Sequence, residues 1–222
     1  MKKHFPIHLV CGALLGLLII SGLSCIIQFE VIYREGPLTT PLGMTESEIK
    51  SLATPECPVV DEYLQIILDD DSPYELSQDG FDDIRDWVAI NIDYMSDEER
   101  WGVSMYWQTP EETLSLRTGD CKDFSILLIS FLRAYGIDGE QVYVVLGVDD
   151  EGYGHAFLKE NWYNDGEWRR IEPQAPTQLS SWPPRFGFHK PDPDSTLDKY
   201  EIIVAFNDLD YYYGESFPWD ED

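Results

Sequence analysis

Cys121 stands at the head of an apolar run, in the stretch RTGDCKDFSILLISFLRAYG that spans residues 117 to 136. A cysteine kept for packing belongs inside such a run. One at its lip, between Asp120 and Lys122 and just after Gly119, is placed as a reagent. If the run is a helix, its first turn leaves backbone N–H groups without intrahelical acceptors and carries a partial positive charge. That setting favours the thiolate, the nucleophilic form of cysteine. Lys122 adds to the effect, while Asp120 and Asp123 oppose it. His155 follows 34 residues later in GYGHAFL, and Glu172 a further 17 residues on in WRRIEPQ. Cysteine, histidine and carboxylate are the set that thiolate attack on a carbonyl requires. Singly, each has an ordinary reading: a packed thiol, a structural imidazole on a strand, a surface acid at a strand end. Together in one domain, with the cysteine opening a helix, they favour the chemical reading.

A thiol of ordinary pKa, ~8.5, gains at most ~2 kcal/mol from full ionisation at pH 7. One oxyanion donor contributes ~2.7–4 kcal/mol, so the site needs donors as well. The Cys121 backbone N–H is one candidate, and the Gln108 amide and the Trp107 indole are others; Trp107 also fits a place in the core. No CxxC pair or Cys/His cluster suggests zinc. The acidic runs LDDDSP and KPDPDSTLD carry the oxygen ligands calcium uses, but read first as solvated loops. No cofactor is expected.

The elements that must position these groups follow from local pattern. TESE at residues 45–48 fits a capping box and starts a short helix. Pro58 opens a second helical pattern with Val60, Leu64, Ile67 and Leu68 on one face. Phe81, Ile84, Trp87 and Val88 mark a third, running to about Tyr94. Thr109, Pro110 and Glu112 form a T-x-x-E start, and that helix ends near Gly119. A new helix, capped by Asp120 or Gly119, runs from Cys121 to Tyr135 and stops at Gly136. Its middle, Phe124 to Leu132, is apolar on nearly every side, the pattern of a central buried helix.

Strands follow: EQVYVVLGV, then GHAFLKENW, then EWRRIEP after the hairpin signal NDG at 164–166, and finally YEIIVAF at 200–206. Residues 173–196, rich in proline and polar residues, read as a long loop. Helices first and an antiparallel sheet after them make an α+β domain with a buried helix against the sheet. Adjacent strands can then bring His155 and Glu172 together beside the helix tip.

The whole chain of 222 residues carries 42 acidic and 15 basic residues, a formal net charge of −27. That argues against nucleic acid as a partner, because binding a phosphate backbone needs cations, and it disfavours docking on anionic lipid. From Ile7 to Phe29 there is no Asp, Glu, Lys or Arg over 23 residues, enough to cross a bilayer. Lys2 and Lys3 precede this run, so the expected topology is a single-pass membrane anchor with a cytoplasmic N-terminus and residues 30–222 outside. Two alternatives stay open: an ordinary cleaved signal peptide, and lipoprotein processing at Cys25 in GLSC, where Gly22 occupies the usual leucine position. Cys11 and Cys25 lie in the run. Cys57 and Cys121 are the two cysteines beyond it, too few for a disulfide framework. Cys57 reads either as an inert thiol or as a partner that switches Cys121 off.

The block YWQTPEETLSLRTGDCKDFSILLISFLRAYGI, followed by GHAFL and then by W..IEP, resembles the transglutaminase-like superfamily, and more narrowly its bacterial and archaeal cysteine proteinases. The likeness covers roughly residues 80–175, and the G-D-C-K-D-F block is its most specific part. It implies a papain-like core with Cys121 as nucleophile, His155 as base and acid, and a third acidic residue in W..IEP. The usual residue there is Asp; this chain has Glu172.

The expected organisation is therefore a membrane anchor at 1–29, a stalk and helical lead-in at 30–79, a transglutaminase-like catalytic domain at 80–210, and an acidic aromatic tail at 211–222. The expected activity is that of a peptidase or amidase on a protein or peptide substrate. A protein-crosslinking transamidase and an inactive binding module on the same fold are its rivals.

Overall fold

The computed structural model describes residues 42–70, 72–177, 194–214 and 216–220. Helices lead and strands follow. The helices are α1 (Glu46–Lys50), α2 (Pro58–Leu68), α3 (Gln78–Asn91), α4 (Asp97–Trp101), α5 (Pro110–Leu116) and α6 (Cys121–Tyr135). A two-residue parallel pair, β1 (Asp93–Tyr94) with β2 (Thr118–Gly119), is threaded among them. The main sheet is antiparallel, in the order β5-β4-β3-β6-β7, from β3 (Val142–Val148), β4 (Gly154–Glu160), β5 (Arg169–Ile171), β6 (Glu201–Phe206) and β7 (Tyr211–Tyr213). This is the α+β arrangement that the order of patterns implies.

α6 is the axis of the fold. Asp120 caps it, its side chain accepting from the Lys122 N–H, and Asp123 closes a reciprocal capping box. Gly136, at φ 116°, ends it in the left-handed conformation that glycine adopts without strain. Between these ends Phe124, Leu127, Leu128 and Phe131 are fully buried, each worth ~1.5–3 kcal/mol of transfer free energy. The two serines inside the helix are satisfied: Ser125 Oγ donates to the Cys121 carbonyl at 2.7 Å, and Ser130 Oγ to the Ile126 carbonyl at 2.8 Å. The alternating residues Val142 and Val144 of β3 and Leu158 of β4 join the same core, as do Ile49 of α1 and Val60 and Leu64 of α2. So the helical lead-in packs on the sheet's core.

The other face of the sheet carries an aromatic cluster. Tyr143, Val145, Phe157, Tyr200, Ala205 and Phe217 are buried there, with Trp168 and Trp219 packed against them. This corrects the expected tail at 211–222. Tyr211–Tyr213 is the fifth strand, paired with β6, and Phe217 is only 8% exposed. The tyrosine run reads as a strand because its aromatic side chains have an apolar face to cover.

The turn at NDG is present, with Asn164 and Gly166 both at positive φ. Among the described residues no helix is long and apolar enough to cross a membrane. The apolar run 7–29, Cys11, Cys25 and most of the expected stalk lie outside the described residues, as does much of the 173–196 loop.

Candidate active site

Three local devices bring the expected residues together. The first sets Cys121. The β1–β2 pair aligns Tyr94 with Gly119, and the Met95 N–H donates to the Gly119 carbonyl at 2.9 Å, so the approach to α6 is held from the side. Glycine at 119 is a matter of space: a Cβ there would lie 2.7 Å from Asp123 Cβ. That close approach lets Asp123 fold back and accept the Asp120 N–H at 3.1 Å. Cys121 is thereby the first residue of the helix, its own N–H lacking an intrahelical acceptor.

The second device sets His155. It is the second residue of β4, opposite Gly147 of β3 in register. Its ring packs at 5.2 Å from the Tyr200 ring and 6.0 Å from that of Phe157. The third sets Glu172, which follows β5 directly and is fully buried. Its Oε2 lies 2.6 Å from His155 Nε2, and its Oε1 accepts the Gln174 N–H at 2.9 Å. Its own N–H donates to Asp194 Oδ1 at 2.8 Å, and Arg85 Nη2 donates to that same oxygen at 2.7 Å. The arginines beside Glu172 are engaged elsewhere: Arg169 with Asp165, and Arg170 with Asp198 and the carbonyls of Leu197 and Tyr200.

The imidazole is thus held between an acid and a thiol. Glu172 takes Nε2, and Cys121 lines the same cavity as the ring. Burial alone pulls the His155 pKa down, but the bonds to Cys121 and Glu172 outweigh it and push it up to about 10. The ring is therefore charged across the neutral range, the partner a thiolate needs.

A cavity of about 220 Å³ lies at this point, lined by Cys121, His155, Trp107, Met105, Leu146 and Ala156 among others. Of the two side chains expected as oxyanion donors, Trp107 lines it. Gln108 does not: its Nε2 donates to Asp123 Oδ2 at 3.0 Å and its N–H to Asp123 Oδ1 at 3.1 Å. Gln108 braces Asp123, which is buried and needs partners. The Cys121 N–H is the backbone donor at the right end of the helix.

A second cluster adjoins the first. Asp97, Asp120 and Asp123 bring a carboxylate oxygen each to within 4.8 Å of one another, a spacing that could hold a metal ion. Lys122 fills it. Its Nζ lies 2.6 Å from Asp97 Oδ2, 2.5 Å from Asp120 Oδ2 and 3.9 Å from Asp123 Oδ1. Burial pulls its pKa down, and Asp123 and Asp120 more than reverse that. Burial, with Asp120 adding to it, pushes Asp123 up to about 7. With the ammonium in place these residues do not fit a divalent cation.

Cys57 is a free thiol, as is Cys121. It lines a separate hollow with Ser47, Lys50 and Asp208. Sequence reasoning missed Asp97, Arg85 and Asp194. Asp97 reads as an ordinary acid in a helical first turn, Arg85 as one charge on the polar side of α3, and Asp194 as part of a polar loop. None carries a local signal, since each acts through contacts distant in sequence.

Residues 65–173 match the model of the transglutaminase-like superfamily core. The UPF0252 protein of Archaeoglobus fulgidus is 36% identical over 63 residues, which cover 28% of this chain and a fifth (20%) of that protein. Two structures of LapG from Legionella pneumophila are similar in fold. The EGTA-treated form has TM-score 0.51 at 17% identity, covering 76% of this chain and 85% of that one. The calcium-bound form has TM-score 0.50 at 16% identity, covering 78% and 92%. With its helix-borne Cys121 backed by strands that carry His155 and lead to Glu172, this chain is similar over residues 65–173 to the core of the transglutaminase-like superfamily.

Proposed function

We propose that this protein is a thiol hydrolase of amide bonds in proteins or peptides. The observation that carries the reading is the buried Glu172–His155 pair at 2.6 Å, with His155 lining one cavity with Cys121. Cys121 Sγ attacks the carbonyl carbon, and the electron pair of the C=O moves to oxygen. The Cys121 N–H and the Trp107 indole are the donors that meet this oxyanion. His155 gives its proton to the departing amine, and a thioester remains. A water then loses a proton to His155 as it attacks the thioester, and the acid leaves as the Cys121 thiolate and the charged ring are restored. Glu172 keeps the ring oriented and its charged form stable without taking the proton.

The same thioester passed to an amine would give a transamidase. No observation favours that route, and the products separate the two. One structure similar to this chain is of a calcium-bound protein; here no step is routed through a metal, because Lys122 occupies the three-carboxylate cluster. The membrane anchor at 1–29, with the enzyme domain on the extracytoplasmic side, is part of the proposal. It rests on the uncharged run and on Lys2 and Lys3.

The test is a peptide library presented to the full-length chain, with and without an added primary amine, read by mass spectrometry. New carboxyl termini that require Cys121 support hydrolysis. Amine adducts in their place support transamidation. Neither product, together with no thiol-reactive peptide label on Cys121, contradicts an enzyme.

A further inference from the structure

Lys122 is only 6% exposed, and three carboxylates lie within 4 Å of its ammonium. Each of these carboxylates also holds a piece of the cavity's surroundings. Asp97 Oδ2 accepts the Tyr106 N–H at 2.7 Å, at the start of the segment that runs to Trp107 and Gln108. Asp123 holds Gln108 by two bonds. Asp120 and Asp123 form the box that starts α6 at Cys121. The ammonium also lies 5.9 Å from the centre of the Trp107 ring. Three acids this close repel one another, and buried charges need a counter-charge at their centre. The fourth observation is an orphan: Asp97 Oδ1 is buried and has no partner, so the cluster holds more oxygen than one ammonium uses.

We propose that Lys122 is a built-in cation, whose ammonium stands where a three-carboxylate cluster would otherwise take a metal ion and so fastens the Tyr106–Gln108 wall of the cavity to the helix that carries Cys121. The domain then needs no divalent cation to assemble its site. Lys122 acts as a positioning residue: it does not touch the reacting atoms, and it works through Asp97, Asp120 and Asp123. Calcium is the ion that the empty cluster would take in its absence, since it accepts several oxygens in irregular geometry, whereas magnesium demands a regular octahedron and gives up water reluctantly. Only the link to Cys121 rests on the proposed thiol chemistry. The cluster itself is tested by melting, so the two readings fail separately.

The experiment compares the full-length wild-type chain with Lys122→Ala in EDTA and in calcium chloride at about 5 mM, following Tm and the rate at which iodoacetamide labels Cys121. The wild type should show the same Tm and rate in both buffers. Lys122→Ala should melt lower in EDTA by roughly 5 °C or more and label Cys121 at a different rate. Calcium should bring both back toward wild type, and adding Asp97→Asn to the variant should abolish that recovery. Three results overturn the proposal: a wild-type chain that EDTA destabilises, a Lys122→Ala variant that melts like wild type in EDTA, or one that calcium does not recover, whether it is merely weakened or unfolded.

Discussion

Two buried groupings of acid and base flank Cys121, and they differ in what the cation can do. On one side a single carboxylate, Glu172, meets an imidazole at 2.6 Å. On the other, three carboxylates surround the Lys122 ammonium. Both satisfy the rule that buried charge must be paired. The imidazole lines one cavity with Cys121, where a departing group can take its proton, and the ammonium is spent on its carboxylates. The first grouping can therefore move a proton in each turnover, while the second can only hold its neighbours still. The difference teaches that charge near a nucleophile is not by itself catalytic. What separates chemistry from scaffolding is whether the cation can pass its proton to the group that reacts.

The comparison can be broken from the chemical side first. Cys121→Ser should reduce turnover by three orders of magnitude or more, roughly the loss seen when a nucleophile is removed from such a set. Its Tm should change little, since the swap is small and sits at a helix tip. Near-normal turnover in the serine variant would remove Cys121 from the mechanism.

Glu172→Gln comes next. It keeps the size and removes the charge, so turnover should fall by roughly 10²- to 10⁴-fold, and Glu172→Asp should lie between it and wild type. An unaffected Gln variant would leave a Cys121–His155 pair oriented by some other group.

The scaffold side gives the smallest effect, and it sharpens the contrast. Asp123 has its pKa pushed up to about 7, from an ordinary value of 3.8. Between these two pH values the folded chain holds a proton that the unfolded chain has released. Stability from this group is therefore fully present below pH 3.8 and is lost as pH rises through 7. Asp123→Asn should flatten that part of the Tm profile, measured by calorimetry from pH 4 to pH 8. An unchanged slope over that window would mean that Asp123 does not carry it.

Much of this was legible in the chain itself. The extent of α6, its Asp120 cap and its Gly136 stop follow from local rules, as do the Thr45 and Thr109 boxes. β3, β4 and β6 announce themselves through β-branched and aromatic residues. The order Cys121, His155, Glu172 pointed to a set that the fold brings together. What stayed hidden depends on contacts far apart in sequence. Nothing local to Asp97 says that it meets Lys122, and nothing near Asp194 says that it bonds the Glu172 N–H. Gln108 looked like a free amide because its acceptor, Asp123, lies 15 residues on, and only the fold buries both. Tyr211–Tyr213 looked like a tail because three residues carry too short a pattern to read as a strand, until β6 supplies the partner.

The central claim is that Glu172 and Cys121 together hold His155 as an imidazolium. Its most direct test is a titration of the His155 ring by NMR, in the wild type and in Glu172→Gln, with the other three histidines as internal controls. The account predicts that the wild-type ring stays charged through neutral pH and releases its proton at about 10. Its contribution to stability would be full below pH 6.5 and lost as pH rises through 10. In Glu172→Gln the midpoint should move down, because the charge on that side is gone. A wild-type ring that titrates near 6.5, unmoved by Glu172→Gln, would contradict the account.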